Sequence, residues 1–173
     1  MSKASLKKAL KGMDREALAE LVCDLYDARR EARDYLEYWL QPDPEAAFEK
    51  VKEETVKKFF YSSGRTKGLP SATEIKKLVN DFSSISFDPE KTAALLLHIA
   101  ETQASWLSAR TTGYAAGLRS LEKNVENARI YVEQSGLEEA FSLRVHRLGE
   151  LLDDLRENPP ETRRGRRRRG WWR

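Results

Sequence analysis

Seven arginines and two tryptophans crowd the last eleven residues, Arg163-Arg164-Gly165-Arg166-Arg167-Arg168-Arg169-Gly170-Trp171-Trp172-Arg173. Residues 161–173 carry a formal +6, while residues 1–160 carry −3. The chemistry of such a stretch is polyanion binding. Guanidinium forks grip phosphate with two parallel hydrogen bonds. Indoles stack on unpaired bases, and glycines keep the backbone pliant. Arg163, Arg164, Arg166, Arg167, Arg168, Arg169, Trp171, Trp172 and Arg173 are therefore the candidate contacts to RNA or single-stranded DNA. Arg with Trp also suits an anionic headgroup interface, so a membrane surface is the rival target. The plain alternative is an idle, disordered terminus.

Elsewhere the residues capable of chemistry do not converge. His98 and His146 lie in different predicted helices, with no Cys/His cluster at zinc spacing. Each reads as an ordinary helix residue with a satisfied hydrogen bond; Glu101, three residues after His98, shares its helical face. Cys23 lies beside Val22 with no base nearby, and burial as a small hydrophobe is expected. Glu53-Glu54 and Asp153-Asp154 are adjacent pairs, which on a helix point about 100° apart. Gly64 and Gly68 lack P-loop spacing and its Lys-Ser/Thr pair. Gly113 and Gly117 make a small-xxx-small pattern that permits close helix packing. Basic groups in the body (Lys7, Lys8, Lys11; Arg29, Arg30, Arg33; Lys57, Lys58; Arg65, Lys67; Lys76, Lys77) mostly interleave with acids, as on a salt-bridged surface. No catalytic, cofactor or metal site is expected.

These groups need a scaffold, and the chain reads as helical. It has 173 residues, 34% of them charged, with few Gly and Pro. That length fits one domain, or two small ones. A single cysteine excludes an internal disulfide and points to a reducing, cytoplasmic setting. The polar start MSKASLKKALKGMDRE lacks the apolar core of a secretory leader, and Ala93–Ala100 is too short to span a bilayer.

A short amphipathic turn or two over 5–12 ends at Gly12. Asp14 then caps a long helix whose apolar stripe runs Leu18, Leu21, Val22, Leu25, Ala28, Ala32, Tyr35, Leu36, Trp39. Gln41-Pro42-Asp43-Pro44 stops it and starts the next, marked by Phe48, Val51, Thr55 and Phe59. Residues 62–70 are the longest internal loop. Ser71-Ala72-Thr73-Glu74 spells a capping box before Ile75, Leu78, Val79 and Phe82. Asp88-Pro89 opens a helix over about 89–110 that is apolar around most of its circumference, hence central. Further helices span about 114–134 and 137–157, divided by Ser135-Gly136-Leu137, a glycine C-cap. The expected fold is all-α: five to six helices in antiparallel pairs, as a compact bundle or short α–α superhelix. It occupies residues 1–160, followed by the basic tail 161–173.

Several segments carry a family resemblance. They are Ser5-Leu6-Lys7-Lys8, Glu16-Ala17-Leu18-Ala19-Glu20-Leu21, Tyr35-Leu36-Glu37-Tyr38-Trp39-Leu40-Gln41-Pro42-Asp43 and Phe59-Phe60. Lys76-Lys77-Leu78-Val79-Asn80-Asp81-Phe82, Asp88-Pro89-Glu90 and Gly136-Leu137 complete the set. Over about residues 5–150 the chain resembles DUF6155, a bacterial family. The resemblance implies a small all-helical bacterial protein and no assigned activity. The chain departs from the pattern at Thr111-Thr112-Gly113-Tyr114, where an acidic Gly-Asp segment is expected, and in the Arg/Trp tail. The expected function is a non-catalytic helical interaction or scaffold protein with a protein partner. Polyanion binding by the tail is the alternative.

Overall fold

The computed structural model describes residues 2–41, 43–110 and 112–159. The basic tail and its expected disorder lie outside the described residues. Among them there are eight helices and no strand, so the all-α expectation holds and the count of five to six was too low. The chain divides into two compact units, Met1–Asp43 and Pro44–Arg173, parted at the proline stop.

The first unit holds α1 (Lys3–Leu10), α2 (Arg15–Ala28) and α3 (Arg30–Leu40). Asp14 caps α2 as its position suggests, accepting from the Ala17 N–H at 2.7 Å. The expected long helix breaks at Arg29, whose backbone is extended (φ −137°, ψ 117°). No proline or glycine marks the break. The break permits contacts that a straight helix forbids. In a straight helix Tyr26 and Glu37 would stand about 16 Å apart along the axis. With the elbow, the Tyr26 hydroxyl donates to Glu37 Oε1 at 2.7 Å, and the Arg33 guanidinium lies 4.8 Å over the Tyr26 ring. Arg33 also approaches Asp27 at 3.8 Å.

The second unit is built on one helix. In chain order it comprises α4 (Pro44–Phe59), α5 (Ala72–Ile85), α6 (Pro89–Ser108), α7 (Tyr114–Gln134) and α8 (Glu138–Glu157). The apolar circumference of α6 is matched by its packing: α4, α5, α7 and α8 all lie against it. It buries Ala93, Leu95, Leu97, Ile99, Ala100, Ala104, Trp106 and Leu107. The stripes read from the sequence meet it. They bring Val51, Thr55 and Phe59 from α4 and Ile75, Leu78 and Phe82 from α5. From α7 and α8 come Leu121, Ala128, Val132, Phe141, Leu148, Leu152 and Leu155.

The boundaries follow the expected local chemistry. Ser71 and Glu74 close a reciprocal capping box. Asp88 accepts from the N–H groups of Glu90 and Lys91, with Pro89 in the first turn. Gly136 takes φ +65°, Leu137 N–H reaches Val132 O at 3.0 Å and Gly136 N–H reaches Glu133 O at 3.1 Å. That is the paired pattern of a Schellman end, with Leu137 packed back on the core.

Candidate interaction surface

The two units use their apolar residues differently. None of α1, α2 or α3 contains a buried residue. The sequence placed Leu18, Leu21, Val22, Leu25, Tyr35, Leu36 and Trp39 in a core stripe, but five of these seven are exposed, and Leu18 and Leu36 are only partly covered. Leu25 is 49% exposed, Trp39 68% and the neighbouring Leu40 69%. The elbow explains why. Tyr26, Arg33 and Glu37 make polar contacts between α2 and α3, and most of the apolar stripe lies outside them. The hydrogen bond to Glu37 is the main cause that lifts the Tyr26 phenol above its ordinary pKa. Cys23, expected to be buried, is exposed for the same reason: its helix has no packed interior.

The charges of α1 and α2 are segregated, whereas those of α3 are mixed in sign. Helix α1 with its C-cap carries Lys3, Lys7, Lys8 and Lys11 and no acid. Helix α2 carries Glu16, Glu20, Asp24 and Asp27 against Arg15 alone.

His98 is partly buried, with Thr102 Oγ1 at 3.5 Å from its Nε2. Burial holds its pKa below the ordinary imidazole range, opposed by the nearby Glu101 charge. Glu101 itself is engaged elsewhere, accepting from Arg144 at 3.1 and 2.8 Å in a bidentate pair. His146 is exposed beside Glu150 at 3.4 Å. The acidic pairs diverge as helix geometry requires: Asp153 meets Arg156 and Asp154 meets Asn158, both at 2.8 Å. Lys57 pairs with Glu53 and Lys58 with Glu74, so these basic groups sit among acids. Among the described residues no three His, Cys, Asp or Glu side chains are placed to hold a metal ion. Nor is any helix among them long and apolar enough to cross a membrane. The nine tail positions proposed for polyanion contact lie outside the described residues.

One arrangement escaped the sequence reading. Loop 62–70 looks loose in sequence, but it is tied down. Phe60 and Thr66 form an antiparallel bridge, and the Lys67 N–H donates to Phe59 O at 2.8 Å. The Lys67 carbonyl accepts from Trp106 Nε1 at 2.9 Å and from the Arg110 guanidinium, which lies 4.7 Å over the same indole. Nothing in the residue types of the loop signals this, because the acceptor is main chain. A tryptophan with a polar N–H inside an apolar helix was the available hint, since a buried indole needs an acceptor.

A family model matches residues 1–158. The chain belongs to DUF6155, a family of unknown function. The DUF6155 match takes in both units and leaves the Arg/Trp tail outside. No curated protein and no solved structure matches the chain. Membership in DUF6155 therefore brings no assigned activity.

Proposed function

We propose that this DUF6155 protein is a non-catalytic helical interaction or scaffold protein of the bacterial cytoplasm. The observation that carries the reading is the contrast between its units. One closes a core around α6; the other presents Leu21, Val22, Leu25, Tyr35, Trp39 and Leu40 to solvent. Large apolar side chains exposed in such number on two packed helices mark an interaction site in folded proteins. The lone Cys23 supports a reducing compartment. The test is affinity capture of the full-length chain from its native host, read by mass spectrometry. The wild-type protein is expected to retain a stoichiometric partner, another copy of the chain included. A Leu25→Glu, Trp39→Glu variant is expected to recover it about tenfold less, the scale of losing an interface anchor. Equal recovery by both proteins refutes the reading.

The tail supports a second activity on the same scaffold, binding of RNA or single-stranded DNA. If all seven arginines meet phosphate, log affinity falls against log salt with a slope of roughly −5 to −6. A chain ending at Pro159 is expected to lose that binding. Equal affinity of truncated and full-length protein removes the activity. Binding to anionic vesicles but not to RNA assigns the tail to membrane headgroups instead.

A further inference from the structure

We infer that the exposed face of α2 and α3 is a self-association surface, covered by a second copy of this chain across a two-fold axis. The inference deepens the interaction reading above and rests on it.

Three observations converge on this occupant. The first is size. The unit Met1–Asp43 sits at the limit, near 40 residues, below which a chain segment rarely builds a core by itself, and none of its described residues is buried. Leu21, Val22, Leu25, Tyr35, Trp39 and Leu40 together expose on the order of 700 Å². A stable pairwise interface needs about 800 Å² from each partner. The patch thus comes close to the requirement before any flanking residue is counted.

The second is geometry. The seam of the elbow is marked by Tyr26 on one helix and Glu37 on the other. Leu21, Val22 and Leu25 follow one helical stripe on α2, and Leu36, Trp39 and Leu40 follow another on α3, at spacings of three and four residues. The two helices pack against each other. A two-fold axis can set the stripes of such a pair against those of its copy. Helices meeting this way bury stripes in a four-helix arrangement.

The third is charge. A two-fold interface must be self-complementary: what one copy presents at a point, the other must answer. Here α1 and α2 carry opposite signs in separate blocks. The lysines of α1 (Lys3, Lys7, Lys8 and Lys11) and the acids of α2 (Glu16, Glu20, Asp24 and Asp27) allow α1 of each copy to meet α2 of the other. A foreign partner would have to supply both blocks in matching order; a second copy supplies them by construction.

Sedimentation velocity of the purified full-length chain at micromolar concentration tests the inference. The wild-type protein is expected to sediment with twice the 19.9 kDa mass of one chain. The Leu25→Glu, Trp39→Glu variant is expected to sediment as a single chain. Both side chains are exposed in the single chain, so its helical circular dichroism should be unchanged. A dimer that survives the double substitution overturns the inference, because the copies then meet elsewhere. A wild-type monomer also overturns it. Hydrogen exchange then separates the two readings. Fast-exchanging α2 and α3 amides in that monomer leave the face open for a different protein, while strong protection there removes the interaction reading as well.

Discussion

Trp106→Ala is expected to lower the unfolding free energy of the second unit by about 3–5 kcal/mol, a large fraction of a typical domain's total. Trp106 is 1% exposed, its ring meets Phe59 edge-on at 6.2 Å, and its Nε1 donates to Lys67 O. Alanine leaves a cavity in the centre of the core and releases one of the two donors that hold loop 62–70. Trp106→Phe separates these effects. It keeps much of the volume and removes the donor, which is worth about 1 kcal/mol beyond the packing change. Urea unfolding followed by far-ultraviolet circular dichroism measures both. A loss under about 1 kcal/mol for the alanine variant would show that the core does not depend on this indole.

Gly117→Ala is expected to destabilise although alanine is the better helix former. Propensity alone favours alanine by about 1 kcal/mol in mid-helix. At Gly117 the added methyl would stand 2.8 Å from Leu107 Cδ1 and 2.9 Å from Trp106 Cζ3. Both neighbours are fully buried and cannot move aside without disturbing the core. Overpacking of this kind costs about 1–3 kcal/mol, which exceeds the propensity gain, smaller than in mid-helix because Gly117 is only the fourth residue of α7. The Gly117 carbonyl also accepts from Gln103 Nε2 at 3.2 Å, and Asn124 donates to Gln103 Oε1 at 2.6 Å. Displacement of α7 would strain that buried amide pair. Gly149 is the internal control: it also lies within a helix, and a methyl added there would meet nothing within 4 Å. Gly149→Ala is expected to stabilise by up to about 1 kcal/mol. The same sign at both positions in thermal or urea unfolding would contradict the packing described here.

The second unit was nearly legible from residue types, for physical reasons that can be named. Its helices begin at strong local devices: Pro44, the Ser71–Glu74 box, Asp88-Pro89 and the Gly136 end. Each acts within a few residues, so a linear reading captures it. Its stripes match a helix period and find partners in sequence order around α6. The first unit was misread because its decisive contacts are longer range. Nothing local at Ala28-Arg29-Arg30 forbids a helix, and the bend shows itself in contacts such as Tyr26 with Glu37, eleven residues apart. The same stripe pattern describes a buried flank and an exposed one, so periodicity could not reveal that Leu25 and Trp39 face solvent. The isolation of about forty residues by Pro42 and Pro44 was the usable sign, since so short a piece has little interior to offer. The pinning of loop 62–70 was hidden because Trp106 and Arg110 address a carbonyl and no side chain.

That last feature bears on how this corner of the protein can drift in evolution. A carbonyl oxygen offers two lone pairs, and at position 67 both are engaged, one by the indole and one by the guanidinium. Every amino acid supplies the same oxygen. The tie through this oxygen therefore depends on residues 106 and 110, while the Lys67 side chain adds a tie of its own, donating from Nζ to Lys57 O. A substitution at position 67 that keeps the N–H gives up the side-chain tie while the mooring at the carbonyl endures, so that part of the attachment is recorded in residues 106 and 110 alone.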